Sequence, residues 1–116
     1  MLISMEKSML LDVIGYTVEN RIIDMLIEGI GMDYSKKDIA DNCKISRPTL
    51  YKVLPGLVKK GFVKPTRVIG RVQLYSINQD NNNTKILLKM EELLLKKSFE
   101  QVSEKIKIKA YSETVK

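Results

Sequence analysis

The chain has 116 residues and carries 20 basic and 14 acidic side chains, a formal net charge of +6. This length fits one compact domain with an appended element, and a hydrophobic fraction of 44% argues against disorder and against a fibrous repeat. No apolar run reaches membrane-spanning length and the first residues show no leader pattern, so we expect a cytoplasmic protein without a membrane segment.

The residue types that most often carry chemistry are scarce. There is one cysteine, Cys43, and no histidine, so the usual zinc ligands and neutral-pH proton carriers are nearly absent. The sequence also lacks a glycine-rich phosphate loop and a nucleophile elbow. We therefore expect no enzyme, no cofactor, no metal site and no small-molecule ligand, and we interpret Cys43 as a core residue.

The basic charge is concentrated in residues 42–79, which contain no Asp and no Glu. Eight cations fall in this acid-free segment: Lys44, Arg47, Lys52, Lys59, Lys60, Lys64, Arg67 and Arg71. A one-signed segment of this length favours a polyanionic partner, and nucleic acid is the first candidate. We expect these cations to share one exposed face with the start of the third helix described below.

The first part of the chain predicts an N-terminal arm followed by a helix. Residues 1–15 are predicted as either an extended arm or a short helix, because Met5, Met9 and Val13 have helical spacing. After Thr17, the predicted N-cap, an apolar stripe of period 3.6 runs from Val18 to Ile30 and is ended by glycines.

Two further helices follow, separated by about three residues. Ser35 and Asp38 form a capping-box pattern that predicts a second helix over 36–43, with Ile39, Ala40 and Cys43 turned inward. Ser46 is the predicted N-cap of a third helix, which starts near Arg47 and runs to Lys60. Its apolar stripe keeps phase through Pro55, which favours one kinked helix over two.

The remainder predicts a hairpin and a long helix. Residues 62–69 and 71–78 are rich in β-branched and aromatic side chains around Gly70, and Pro65 indicates either an edge strand or an irregularity in it. A long helix is predicted from Thr84 to about Lys107. The expected fold is mainly α with a small β-hairpin wing, divided into an arm (1–15), a winged helix-turn-helix domain (16–79) and a dimerisation helix with its tail (80–116).

This order of elements resembles the archaeal family of small winged-helix DNA-binding proteins over about Leu11 to Asn78. The resemblance is carried by five strings: residues 17–21 (TVENR), 33–36 (DYSK) with 38–40 (DIA), 45–51 (ISRPTLY) and 70–71 (GR). It implies a DNA-binding transcriptional regulator in which Ala40 lets the paired helices cross closely. The family often has glycine in the turn between them, whereas this chain has Cys43-Lys44, with Asn42 nearby as a more tolerant residue.

If the third helix enters the major groove, its residues outside the core positions are the ones expected to contact DNA. The predicted base-reading residues are Arg47, Pro48, Thr49 and Lys52, with a phosphate contact as the other role for Lys52. The predicted backbone contacts are Ser35, Lys36, Lys37, Ser46 and Tyr51. The predicted wing contacts, toward the minor groove or the backbone, are Lys64, Arg67, Arg71 and Gln73.

The long C-terminal helix carries two apolar stripes. Ile86, Leu87, Met90, Leu93 and Leu94 are predicted to pack on the body, while Leu88, Leu95, Phe99, Val102 and Ile106 are predicted to form a homodimer seam. A two-fold dimer would present two third helices to half-sites one DNA turn apart. The alternative is that this helix folds back over residues 1–15 of its own chain.

Three functions remain open from the sequence. The leading one is a homodimeric regulator that binds a specific double-stranded DNA site. A DNA-coating architectural or plasmid-partition protein would use the same cations with little sequence preference. A winged-helix protein-interaction module would use the same elements against an acidic partner, although eight cations without apolar anchors argue against it.

Overall fold

The computed structural model describes residues 8–114 of the chain, and the side chains of residues 8–102. In chain order the elements are helix α1 (Met9–Ile14), helix α2 (Val18–Glu28), strand β1 (Tyr34–Ser35), helix α3 (Lys36–Cys43), helix α4 (Arg47–Lys59), strands β2 (Val63–Ile69) and β3 (Val72–Ile77), and helix α5 (Asn82–Thr114). The N-terminal arm contains a helix, so the predicted third helix is α4.

Helix α1 begins at a serine cap and packs through leucines. Ser8 Oγ accepts a hydrogen bond from the Leu11 amide at 3.1 Å, and Leu10 and Leu11 are buried. Met9 and Val13, whose spacing predicted the helix, are exposed instead. Met5 lies outside the described residues.

The core is formed where α2, α3 and α4 meet. Five side chains at this meeting point are at most 2% exposed: Ile22 and Leu26 of α2, Ile39 of α3, and Leu50 and Leu54 of α4. The predicted caps are confirmed, since Thr17 Oγ1 accepts from the Asn20 amide and Ser35 forms a capping box with Asp38. The helix stops at Glu28 with Gly29 as its C-cap, as the predicted glycine end requires, so Ile30 lies beyond the helix and is exposed.

The turn between α3 and α4 places a lysine in the left-handed region. Lys44 has φ 55° and ψ 44°, the conformation that glycine supplies at no steric cost, and Asn42 stays within α3. The Arg21 guanidinium of α2 donates to the Cys43 carbonyl at the end of α3. This contact ties the turn, and with it the start of α4, to the core.

Helix α4 is continuous through Pro55, as predicted. It ends at Lys59, and Gly61 then takes a positive φ of 85° before β2. The sheet has the antiparallel order β1-β3-β2, so Pro65 lies in an edge strand, where its missing N–H removes no ladder bond from a central strand. The β2–β3 register shifts between Pro65 and Val68.

Helix α5 begins before the predicted Thr84, because Asn81 Oδ1 accepts from the Asn83 and Thr84 amides. At 33 residues it is about 50 Å long. Its first turns pack on the core, and α1 contacts it within the same chain. This contact partly realises the predicted alternative in which the long helix meets the N-terminal arm.

The face of α5 that meets the body differs from the predicted one. Leu87 and Met90 pack against the core as expected, but Ile86 and Leu93 are 60% and 53% exposed. Leu88, which the sequence assigned to the dimer seam, is half-buried against the core of its own chain. Each residue turns the helix by about 100°, so a body centred near Leu87 leaves Ile86 and Leu93 on the far side.

Candidate nucleic-acid interface

The first two turns of α4 separate a buried face from an exposed face. Leu50 and Leu54 are buried, whereas Arg47, Pro48, Tyr51 and Lys52 are exposed. Pro48 lies in the first turn, where its missing N–H leaves no intrahelical bond unmade. The structure therefore turns four of the residues predicted to contact DNA away from the core.

The two hydroxyls at this end of α4 are committed to its cap. Ser46 Oγ accepts from the Thr49 amide at 3.2 Å and lies 2.8 Å from Thr49 Oγ1. Thr49 is half-buried. Of the predicted base-reading residues, Arg47 and Lys52 are exposed, and no hydrogen bond from either side chain is found within residues 8–102, while Thr49 offers mainly its methyl group.

The start of α3 lies beside this face. Lys36 Nζ is 5.0 Å from the centroid of the Tyr51 ring, close enough for a cation–π contact. Ser35 is occupied by the capping box, and Lys37 pairs with Asp41 at 3.7 Å in an exposed pair that salt would screen. Two predicted backbone contacts, Lys36 of α3 and Tyr51 of α4, therefore lie side by side.

A groove of about 490 Å³ runs between α4 and the wing. Its lining combines Lys36 and Lys59 with a mainly apolar wall that includes Tyr51, Pro55, Pro65 and Tyr75. No DNA contact was predicted for Pro55, Pro65 or Tyr75, and Lys59 was predicted only as one of the eight cations of the acid-free segment. Only tertiary packing brings these positions together, and no spacing along the chain signals it.

Of the four predicted DNA contacts in the wing, two are exposed and two are hydrogen-bonded to other groups of the protein. Arg71 and Lys64 are exposed, but Arg67 Nε and Nη2 donate to the two carboxylate oxygens of Asp33 at 3.0 and 3.2 Å. Gln73 Nε2 donates to the carbonyls of Arg67 and Leu74. Arg67 is thus not a free cation at the hairpin tip, and Gln73 is engaged within the wing.

The cations of the acid-free segment do not all share one face, contrary to expectation. Lys60 lines a cleft with Glu19 of α2 and Leu87 of α5. Lys64 and Arg67 line a cavity beside Asp33, whereas Pro65 lines the groove with α4. Alternation along a strand accounts for the separation of Lys64 from Pro65. The cations beside the exposed face of α4 are Arg47 and Lys52 of α4 itself and Lys36 of α3, which lies outside the acid-free segment.

Other chemistry finds little support in residues 8–102. Cys43 is fully buried, and burial raises the pKa of its thiol to about 11, so it carries no reactive thiolate near neutral pH. Within the described part of the chain, no group of three potential ligands is placed to hold a metal ion. None of the helices in that same part is long and apolar enough to span a membrane.

Two helices joined by a tight turn and followed by a β-hairpin define a winged helix-turn-helix fold, which is the class that this structure establishes. The chain is similar in structure to MepR, a transcription regulator of the Staphylococcus aureus multidrug efflux pump MepA. The TM-score is 0.52 and the identity 17%, over 91% of this chain and 84% of MepR.

A mutant of ZitR from Lactococcus lactis gives a TM-score of 0.47 at 20% identity, over 87% of this chain and 79% of ZitR. No family model matches the chain, and no curated protein is similar to it in sequence. The likeness to MepR supports the winged-helix fold. The resemblance to an archaeal family stays a prediction.

Proposed function

We propose that the protein is a homodimeric transcriptional regulator that binds a specific double-stranded DNA site. Helix α4 enters the major groove, and the wing contacts the adjacent minor groove or backbone. The first turns of α4 carry the reading residues, and Lys36, Tyr51 and Lys59 contact phosphate or sugar. No cofactor takes part in this binding.

One observation carries the proposal: the start of α4 is exposed on one side, basic, and free of carboxylates. Arg47 and Lys52 are exposed there, and residues 42–79 contain no acidic side chain to repel phosphate. An α-helix fits the major groove of B-DNA, and an arginine in its first turn suits bidentate contact with guanine. The winged-helix fold is compatible with this docking.

The salt dependence of DNA binding tests the proposal. A dimer that contacts roughly 8 phosphates should show log K falling with log salt at a slope near −7. Fluorescence anisotropy with a duplex selected from random DNA measures the slope. A slope near zero, or no binding to any duplex at low salt, would exclude the proposal and favour a protein-interaction module.

Substitution of Arg47 tests the reading role of α4. Arg47→Ala should cost about 1–3 kcal/mol on the selected site and relax preference at one base pair. The matched control is Lys60→Ala, which removes the same charge from the cleft beside α2 and α5 and should leave sequence preference unchanged. Equal effects of the two variants on every sequence would indicate charge alone.

Footprinting separates a regulator from a DNA-coating protein. A regulator should protect one bounded site, with two half-sites about one DNA turn apart if the protein is a dimer. An architectural or partition protein would instead produce protection that spreads with concentration. A spreading footprint would therefore contradict the proposed function even where affinity is high.

A further inference from the structure

A cluster of three side chains connects the wing to the loop before β1. Asp33 Oδ2 accepts from Thr66 Oγ1 at 2.7 Å and from Arg67 Nε at 3.0 Å, while Arg67 Nη2 donates to Oδ1 at 3.2 Å. The Asp33 side chain is only 16% exposed. Hydrogen bonds from Arg67, and next from Thr66, lower the pKa of Asp33, so it stays ionised at neutral pH.

The cluster lies where β2 leaves its ladder. Pro65 pairs with Tyr75 and Val68 pairs with Gln73, so Thr66 and Arg67 together face one residue of β3. This two-against-one count is a β-bulge, in which regular pairing is interrupted and the strand bends. The two residues that lose regular pairing are the two that Asp33 binds.

A second side chain secures the same bulge from the neighbouring strand. Gln73 Nε2 donates to the Arg67 carbonyl at 3.2 Å. The backbone of the bulge is thus held by β3 and its side chains by Asp33, which is 34 residues away from Arg67 in sequence. Because a bulge re-aims the strand beyond it, these contacts determine the direction of the wing tip.

We propose that Asp33 is a positioning residue that fixes the wing at its bulge, and that Arg67 acts through Asp33 rather than by contacting DNA. This inference rests on the proposed function, in which the wing meets DNA beside α4. Asp33 engages two of the five N–H donors of Arg67 and neutralises its charge, so the paired guanidinium attracts a phosphate less than a free cation would. Arg71, exposed within the hairpin turn, is left as the cation of the tip.

The two roles of Arg67 predict opposite effects for Asp33→Ala. If Asp33 positions the wing, its loss should weaken DNA binding by about two- to fivefold, the range that an exposed ion pair supports, although the protein becomes more positive. If Arg67 contacts phosphate, the same variant releases that cation and should bind equally well or more tightly. Affinity at fixed salt, measured by anisotropy, distinguishes the two.

Asp80→Ala provides the matched control. Asp80 is exposed, and no hydrogen bond to its carboxylate is found among the described residues. Its loss changes the net charge by the same amount and should not weaken binding. If Asp33→Ala binds as tightly as Asp80→Ala, the positioning role is wrong.

Arg67 variants complete the test. Arg67→Ala should weaken binding to the same extent as Asp33→Ala, and the double variant should be no weaker than either single one. The salt slope should remain that of the wild type, whereas loss of one phosphate contact from each protomer of the dimer would reduce its magnitude by about 1.8. The charge swap Asp33→Arg with Arg67→Asp should recover affinity lost in Arg67→Asp; failure to recover it together with a reduced slope would overturn the inference.

A measurement without DNA separates this inference from the proposed function. Amide hydrogen exchange across β2 should be faster in Asp33→Ala than in the wild type and in Asp80→Ala. If the wild type binds no duplex, the proposed function fails while faster exchange still supports the contact at the bulge. Unchanged exchange would refute that contact whether or not DNA is bound.

Discussion

Asp24 is the one buried carboxylate among residues 8–102. It is 2% exposed, and Ser8 Oγ donates to its Oδ1 at 3.0 Å, which joins the cap of α1 to α2. Burial raises the pKa of Asp24 above its ordinary value of 3.8, an effect that the Ser8 bond partly offsets. Glu28 and Glu91 have pKa values raised by burial and then by the charge of Asp24.

Replacing Asp24 with Asn should stabilise the protein at pH 7 by on the order of 1 kcal/mol. A raised pKa in the folded state means that folding favours the protonated acid, so stability from this group is full below pH 3.8 and declines as pH rises through the folded pKa. The amide remains uncharged and its oxygen can still accept from Ser8. Urea unfolding measured from pH 4 to 8 should show the gain growing with pH.

Asp80→Asn, an exposed change of the same chemistry, should show no comparable trend. A loss of stability in Asp24→Asn at pH 7 would mean that the ionised carboxylate makes a favourable contact. The sequence offered no sign of this residue, because a single Asp in an apolar stripe looks the same whether it is buried or at the edge of the stripe. Its burial follows from α1 packing over α2.

The starts of three helices were predicted well because an N-cap hydrogen bond joins residues only three positions apart. Thr17, Ser35 and Ser46 each accept from an amide three residues later, as their positions before apolar stripes predicted. Partners distant in sequence were not predictable in this way. Asp33 and Arg67 meet only because the sheet brings the loop before β1 against the bulge of β2.

Faces of elements were harder to predict than their extents. The fold class and the hairpin are confirmed, but the stripe of α5 that meets the body is displaced from the predicted one, with Leu88 half-buried and Ile86 exposed. A long helix with apolar residues on several sides permits more than one face to pack inward. Which face packs inward depends on the elements around the helix, here α1 and the core.

The turn between α3 and α4 stores strain that glycine would relieve. Lys44 adopts φ 55°, which costs a residue with a Cβ about 1 kcal/mol relative to glycine, although glycine has more freedom to lose on folding. Lys44→Gly should therefore stabilise the fold by about 0.5 kcal/mol, while Lys44→Ala, which keeps the Cβ, should not. Urea midpoints of the three proteins test this.

Both variants remove the same positive charge, so their difference isolates the backbone conformation of the turn. Equal stability of Lys44→Gly and Lys44→Ala would contradict the strain argument. The result also bears on DNA binding, because the turn orients α4. Affinity of the two variants for the selected duplex should be equal if Lys44 contributes only its charge.

At the scale of the whole molecule, the outer part of α5 leaves apolar side chains uncovered. Leu95, Phe99 and Val102 are 43%, 72% and 52% exposed and follow 4-3 spacing along one side of the helix. Ile106, the last residue of the predicted seam, has a side chain outside the described residues. Such a stripe on a helix longer than the body it packs on favours a second copy of the chain.

Phe99→Glu should convert the proposed dimer to a monomer, because it places a charge at the centre of the exposed stripe. Leu93→Glu is the matched control: Leu93 is also exposed but lies on the far side of α5, so this change should leave the dimer intact. Sedimentation velocity at micromolar concentration measures the mass of each protein.

A dimer has two α4 helices, so Phe99→Glu should also shorten the footprint to one half-site and roughly halve the salt slope. A monomeric wild type, or a dimer that survives Phe99→Glu, would require a different covering for this stripe.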